Sequence, residues 1–205
     1  MVKSGDSSAR RDDPLLDVVV EILETDGYDA VQLREVARRA RTSLATIYKR
    51  YSTRDELILA ALEAWMEEHR YSNVVPPPRA PDSSLYDGLM ALFRMIFEPW
   101  EQHPGMLAAF FRVRSGPSGA KLFRRGLEIV VPAASEVLAD VDEGFISDFN
   151  AAMLSLVYGL MGRFSAGELA ITELLPAIDR TVFWLAGGYE ASDARRASGR
   201  RSSTV

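Results

Sequence analysis

The 205-residue chain has no cysteine and only two histidines, His69 and His103. Without thiols there is no disulfide framework and no thiolate metal site. The histidines are far apart, and neither has the spacing of a metal centre or a catalytic triad. Glycine-rich phosphate loops, nucleophile elbows and paired carboxylates are also missing. The sequence therefore argues against an enzyme, and no cofactor or metal is expected. Long hydrophobic runs are lacking too: Asp, Glu, Arg or Pro interrupts every apolar segment well before the roughly 18 residues a membrane span needs. The start, Met1 to Pro14, is polar, with no apolar leader core behind it. The expectation is a cytoplasmic protein with no membrane partner. There is no excess of positive charge, since 24 Lys and Arg face 29 Asp and Glu for a net −5. Such a total argues against coating nucleic acid through overall charge.

What is present is helical periodicity. No Val/Ile/Thr alternation bounded by turns suggests a strand, and the expected fold class is all-α with about nine helices. Leu15, Leu16, Val19, Ile22 and Leu23 fall on one helical face, with Asp13 placed to cap it, Pro14 suited to its first turn and Asp26-Gly27 to end it. Further helices are expected at 33–40, 44–51 and 54–71, the last opened by a Thr53/Glu56 capping box. Four prolines in residues 73–81 read as a linker or surface loop. Beyond them, helices are expected at 84–102, 104–114, 117–141, 144–165 and 172–189, with Pro99 and Pro132 kinking or breaking theirs. The resulting organisation is a flexible arm (1–13), a small helical domain (14–62), a larger one (63–190) and a disordered tail (191–205).

Charge is segregated. Between Ala30 and Arg54 stand Arg34, Arg38, Arg39, Arg41, Lys49, Arg50 and Arg54 against the single acid Glu35, about +6 locally and about −11 elsewhere. Within this segment Val36, Ala37, Ala40, Ile47 and Tyr51 are spaced to make a small contact between two crossed helices. Ser43 can cap the second helix, whose other face carries Thr46, Tyr48, Lys49 and Arg50. That is the pattern of a helix-turn-helix, with donors on a face that fits a major groove.

Residues 15–62 resemble the DNA-binding domain of the TetR family of transcriptional regulators. The likeness rests on Gly27-Tyr28, on Leu33 through Ala40, and above all on Ser43-Leu44-Ala45-Thr46-Ile47-Tyr48-Lys49-Arg50-Tyr51 followed by Ser52-Thr53-Arg54-Asp55-Glu56-Leu57. It implies double-stranded operator DNA as partner, with Thr46, Tyr48 and Arg54 on phosphates and Arg34, Leu44, Ala45, Lys49 and Arg50 nearest base edges. Thr42 and Ser43 complete the implied contact set. Arg41 stands where the family has Gly, Thr42 where it has Val, Ala45 where it has Gly and Arg54 where it has Lys. Arg38 and Arg39 are read as solvated, and Lys3, Arg10 and Arg11 as a mobile arm that either reaches DNA or does nothing specific.

From Leu85 to Phe123 the apolar residues are large and varied. A Met and aromatic stripe is ordinarily core. The resemblance implies a ligand pocket, for which the candidates are Met90, Phe93, Phe97, Trp100, Leu107, Phe110, Phe111, Phe123, Met153 and Val157. A weaker similarity of the C-terminal part to KstR-type repressors of steroid catabolism suggests a small hydrophobic effector, a lipid, steroid or acyl-CoA. Phe149, Met153, Leu160, Leu174, Ile178, Val182 and Leu185 lie on the last two helices and are the candidates for a four-helix homodimer interface. The reading is a dimeric, ligand-released repressor on a pseudo-palindromic operator. The alternatives are a TetR-like protein without a small-molecule ligand, controlled by a protein partner, and an all-helical lipid-binding protein or enzyme keeping the motif as a relic.

Overall fold

The computed structural model describes residues 13–71, 83–114 and 119–202, so residues 1–12 of the expected arm and the 73–81 segment lie outside the described residues, while Asp13, expected in the flexible arm, is buried. Those described form nine α-helices and no strand: α1 (Pro14–Thr25), α2 (Leu33–Arg39), α3 (Leu44–Arg50), α4 (Arg54–Met66), α5 (Leu85–Gln102), α6 (Pro104–Arg114), α7 (Gly119–Val137), α8 (Glu143–Ser165) and α9 (Leu174–Ser202). A π-helical turn, Glu67–Tyr71, continues α4. The all-α expectation holds. Two features differ from it. Pro99 and Pro132 lie inside continuous helices rather than breaking them. The last helix does not stop at 189 but reaches Ser202, correcting the disordered tail for those residues. The stretch is rich in Ala and Arg, both good helix formers, though its Ser and charge make composition alone read it as polar and unstructured.

The described residues divide into two compact units, at Glu98/Pro99 within α5 and Glu128/Ile129 within α7. The first holds α1 to α4, the end of α5, α6 and the start of α7. In α1 the Asp13 carboxylate accepts from the Leu15 amide (3.1 Å), and Leu15, Leu16, Val19, Ile22 and Leu23 are buried. Each fully buried side chain of this kind contributes about 1.5–3 kcal/mol. Gly27 at φ 84° ends the helix in a region closed to most side chains, with its amide on the Ile22 carbonyl (3.0 Å). Thr53 caps α4 as expected, accepting from the Glu56 amide (3.1 Å), while Glu56 reaches back one residue further than a capping box requires, to the Ser52 amide (2.7 Å).

The first unit extends beyond residue 62. Helix α6 packs on α1 and α4 in the same unit. Gly105 makes this approach possible, because a Cβ there would lie 2.8 Å from the Glu24 Cα and closer still to the Leu23 carbonyl oxygen. Glu24 fastens the joint, its carboxylate accepting from the Gly105 amide (3.3 Å) and pairing with the His103 ring (3.0 Å). At the far end of α6 the Arg112 guanidinium pairs with Asp29 (2.9 Å). Trp65, His69, Trp100 and His103 fill the space beside this joint, with Trp65 stacked on His69 at 4.9 Å.

The second unit is built on α8 and α9 with the first part of α5 and the end of α7. Asp142 caps α8 through the Gly144 and Phe145 amides, and Gly167 at φ 75° turns the chain toward α9. Phe149, Met153, Leu160 and Met161 of α8 are buried with Leu174, Ile178, Val182 and Ala186 of α9. Glu190 of α9 accepts from the Leu85 amide (2.9 Å), and Tyr86 donates to Asp179 (2.9 Å).

Candidate nucleic-acid interface

The α2–turn–α3 pair closes on Val36, Ala37, Ile47 and Tyr51, all buried as expected, with Val31 beneath them; Ala40 is half-buried. The turn hydrogen-bonds through the Thr42 amide to the Ala37 carbonyl (2.9 Å). Arg41 sits in it at φ 50°, the only non-glycine positive φ among the described residues. Ser43 caps α3, accepting from the Thr46 amide (3.1 Å) and bonded to the Thr46 hydroxyl (2.9 Å). Outward from α3 stand Ala45, Thr46, Tyr48, Lys49 and Arg50, all exposed; Leu44 and Thr42 are half-buried.

The seven cations of the segment are not equivalent. Arg38 and Arg39 both donate to Glu35, at 2.6–2.9 Å, and Arg39 also reaches Asp26 (2.6 Å). Hydrogen bonds from Arg38 first and Arg39 second hold the Glu35 carboxyl down at about 2. The solvated reading of these two arginines is thus refined to an ion-paired one. Arg54, expected on a phosphate, is turned inward: it donates to the Val31 and Tyr28 carbonyls and lies 4.6 Å from the centre of the Tyr28 ring. A second cation, Arg112, lies 4.5 Å from the same ring. Arg50, expected near base edges, is bound to Asp13 through both guanidinium ends (2.9 and 2.7 Å). Both of these expected DNA contacts are engaged within the chain. A helix-turn-helix pattern shows which residues share a face, but the partners of Arg50 and Arg54 are 37 and 23 to 26 positions away. Arg34, Arg41 and Lys49 remain exposed with no ion pair among the described residues.

Arg41 gives a direct test of backbone strain. The left-handed region costs a non-glycine residue about 1–2 kcal/mol, while glycine loosens the unfolded chain by about 0.4–1 kcal/mol. Arg41→Gly is therefore expected to stabilise the protein by about 0.5–1 kcal/mol, visible as a higher urea midpoint at unchanged slope.

The expected ligand residues divide evenly. Trp100, Leu107, Phe110, Phe111 and Phe123 belong to the first unit, and Met90, Phe93, Phe97, Met153 and Val157 to the second. Within the first, Trp100 and Phe110 touch at 5.4 Å, and Arg114 lies over Phe111 and Phe123 at 6.0 and 5.0 Å. Within the second, Phe93 meets Phe97 at 6.4 Å and Phe149 at 6.5 Å.

For the expected dimer residues the structure gives a different place. Phe149, Met153, Leu160, Leu174, Ile178 and Val182 are buried in their own unit and Leu185 is half-buried. Periodicity identified a packed face correctly, but that face serves α8 against α9 of one chain. Exposed on these helices are Leu154, Tyr158, Phe183 and Trp184, at 50–73% of their surface. Gly159, Gly187 and Gly188 have open space where a side chain would stand. By length and composition α8 is apolar enough to cross a membrane, and most of it is uncovered.

An exposed, capped, cation-bearing helix carried by a crossed partner defines a helix-turn-helix DNA-binding regulator. Residues 15–61 match the family model for bacterial regulatory proteins of the tetR family, and residues 83–185 that for the tetracyclin repressor-like C-terminal domain. The chain belongs to the TetR family. It is 33% identical over 99 residues to an uncharacterized HTH-type transcriptional regulator of Mycobacterium tuberculosis, covering 48% of this chain and 46% of that protein. It is 31% identical over 78 residues to the HTH-type transcriptional repressor KstR of Rhodococcus jostii, covering 38% and 37%. These matches thus span half or less of each relative. A transcriptional regulator from Rhodococcus sp. shares the fold, with a TM-score of 0.63 at 24% identity over 85% of this chain and 95% of that one. The family is one of regulators, not of enzymes.

Proposed function

We propose that the protein is a repressor that binds a pseudo-palindromic operator as a homodimer in the cytoplasm and is released by a bulky hydrophobic or acyl-CoA-like effector. The observation that carries the DNA-binding step is the set Arg34, Arg41 and Lys49, exposed cations grouped with exposed Thr46 and Tyr48 on one helix-turn-helix. Lys49 on a guanine edge, with Leu44 and Ala45 available to a thymine methyl, would supply discrimination of about 1–3 kcal/mol per good base contact. Thr46 and Tyr48 hydroxyls suit phosphate oxygens and fix register. The KstR relative and the Met- and aromatic-rich helices α5 and α6 support an apolar effector.

Dimerisation is supported by the outer faces of α8 and α9. Large apolar residues beside helical glycines suit close helix packing against a second copy. That cover explains the apolar character of α8 better than lipid does, because both helices are exposed on comparable stripes and one face of each is already bound to the other.

The deciding experiment is a gel shift with the promoter region beside the protein's own gene. Salt-sensitive, sequence-specific retardation supports the reading, and its absence refutes it. Binding should weaken with salt at a log–log slope of about −0.9 per phosphate neutralised. For Arg34→Ala with Lys49→Ala we expect about 5- to 150-fold weaker specific binding for each base pair that is no longer read, with binding of a random duplex much less affected. A double variant that keeps the wild-type preference for the promoter over a random duplex would show that neither cation reads a base.

A further inference from the structure

We propose that Asp13 is the positioning residue for the recognition helix α3, and that it withholds Arg50 from DNA. The inference rests on the DNA-binding reading above. Asp13 is 2% exposed, and its carboxylate makes three hydrogen bonds and one further ion-pair contact. Oδ1 accepts from the Leu15 amide (3.1 Å) and Arg50 Nη1 (2.9 Å). Oδ2 accepts from the Tyr51 hydroxyl (2.8 Å) and forms an ion pair with Arg50 Nη2 (2.7 Å). A carboxylate offers about four acceptor sites, so this one is filled. Leu15 belongs to the first turn of α1, Arg50 ends α3 and Tyr51 follows it, so one buried group joins the start of the domain to the exit of the recognition helix.

The consequence for Arg50 is electrostatic. Its side chain is 42% exposed and stands beside Lys49 in sequence, yet its charge is already matched by a buried, bidentate partner. Such pairs are strong and directional. Drawing Arg50 onto a phosphate would strand the Asp13 charge in the interior, which is the expensive way to break a buried pair. Adjacent cations therefore do opposite jobs: Lys49 is presented, and Arg50 sets the angle at which Lys49 is presented.

The test uses the full chain, its promoter duplex and a random duplex of equal length, with affinity measured across a salt series. Asp13→Asn keeps an oxygen for the Leu15 amide, sets an amide NH2 that can donate to the Tyr51 oxygen, and removes the charge that holds Arg50. The expected result is a slope steeper by about 0.9 per protomer, as the freed guanidinium takes up a phosphate, tighter binding of the random duplex and a reduced preference for the promoter. Arg50→Gln is expected to leave the slope at its wild-type value while the preference falls. A wild-type slope in Asp13→Asn, or a slope shallower by about 0.9 per protomer in Arg50→Gln, overturns the inference. If Asp13→Asn does not fold, Arg50→Gln decides alone. A wild-type protein that binds neither duplex refutes the DNA-binding reading itself.

Discussion

Trp184→Glu is expected to convert the protein from a dimer to a monomer and to reduce operator affinity by on the order of 10²- to 10⁴-fold, the gain that linking two binding events supplies. Trp184 is 73% exposed, next to Phe183 at 52%, on a helix whose opposite side is fully packed. The substitution therefore leaves the chain's own core intact. It places a charge in the middle of an apolar face, where a second copy would have to bury it without a partner. Light scattering on the purified protein reads the oligomeric state, and the promoter gel shift reads the affinity. Far-ultraviolet circular dichroism should remain that of the wild type. A variant that stays dimeric would move the interface elsewhere. The same change at Val182, which is fully buried, should unfold the protein instead, so the two positions separate association from folding.

Gly105→Val is expected to destabilise the protein. A glycine in the first turn of a helix ordinarily invites replacement, since almost any residue raises helix propensity by part of the ~1 kcal/mol glycine penalty. Here the sign reverses, because the added side chain meets the backbone of Leu23 and Glu24, which cannot swing aside as a flexible side chain can. Overpacking of this kind costs about 1–3 kcal/mol, occasionally more. The measurement is the urea midpoint at unchanged slope. Gly105→Ala should lie between wild type and valine. A neutral or stabilised valine variant would mean that α6 does not approach α1 this closely. The same strain would fall on the Glu24 bonds to Gly105 and His103, so loss of stability should be accompanied by greater exposure of Trp65 and Trp100, which pack beside that joint.

Much of the fold was legible because its signals are local. Asp13, Ser43 and Thr53 each cap the helix that their position before an apolar run predicted, and the buried faces of α1 and α3 follow from spacing alone. The capped helix α3 was legible for the same reason. What was hidden depends on partners distant in sequence. Nothing within Ala30 to Arg54 reveals that Arg50 is held by Asp13 or that Arg54 turns to the Tyr28 and Val31 carbonyls. Net local charge therefore overstated the cationic surface. On α8 and α9 the difficulty was of another kind: both helices are apolar on two sides, and periodicity marks the stripes without saying which meets the other helix and which faces outward. The residues chosen, Leu174, Ile178 and Val182, are β- and γ-branched aliphatics that fill a core. The aromatic pair Phe183 and Trp184, one residue further along, was the better signal for a surface meant to bind.

The three tryptophans also occupy environments that differ in kind. Trp65 and Trp100 are 3% and 2% exposed, and Trp65 lies flat on the ring of His69, whereas Trp184 is largely solvated. Their emission is therefore separable: red-edge excitation selects the solvated indole, while the buried signal comes from Trp65, packed against the His69 and His103 rings, and from Trp100, packed against Trp65. The protein thus carries an intrinsic optical reporter at the face assigned to a second copy, and another, independent one at the joint between α1 and α6.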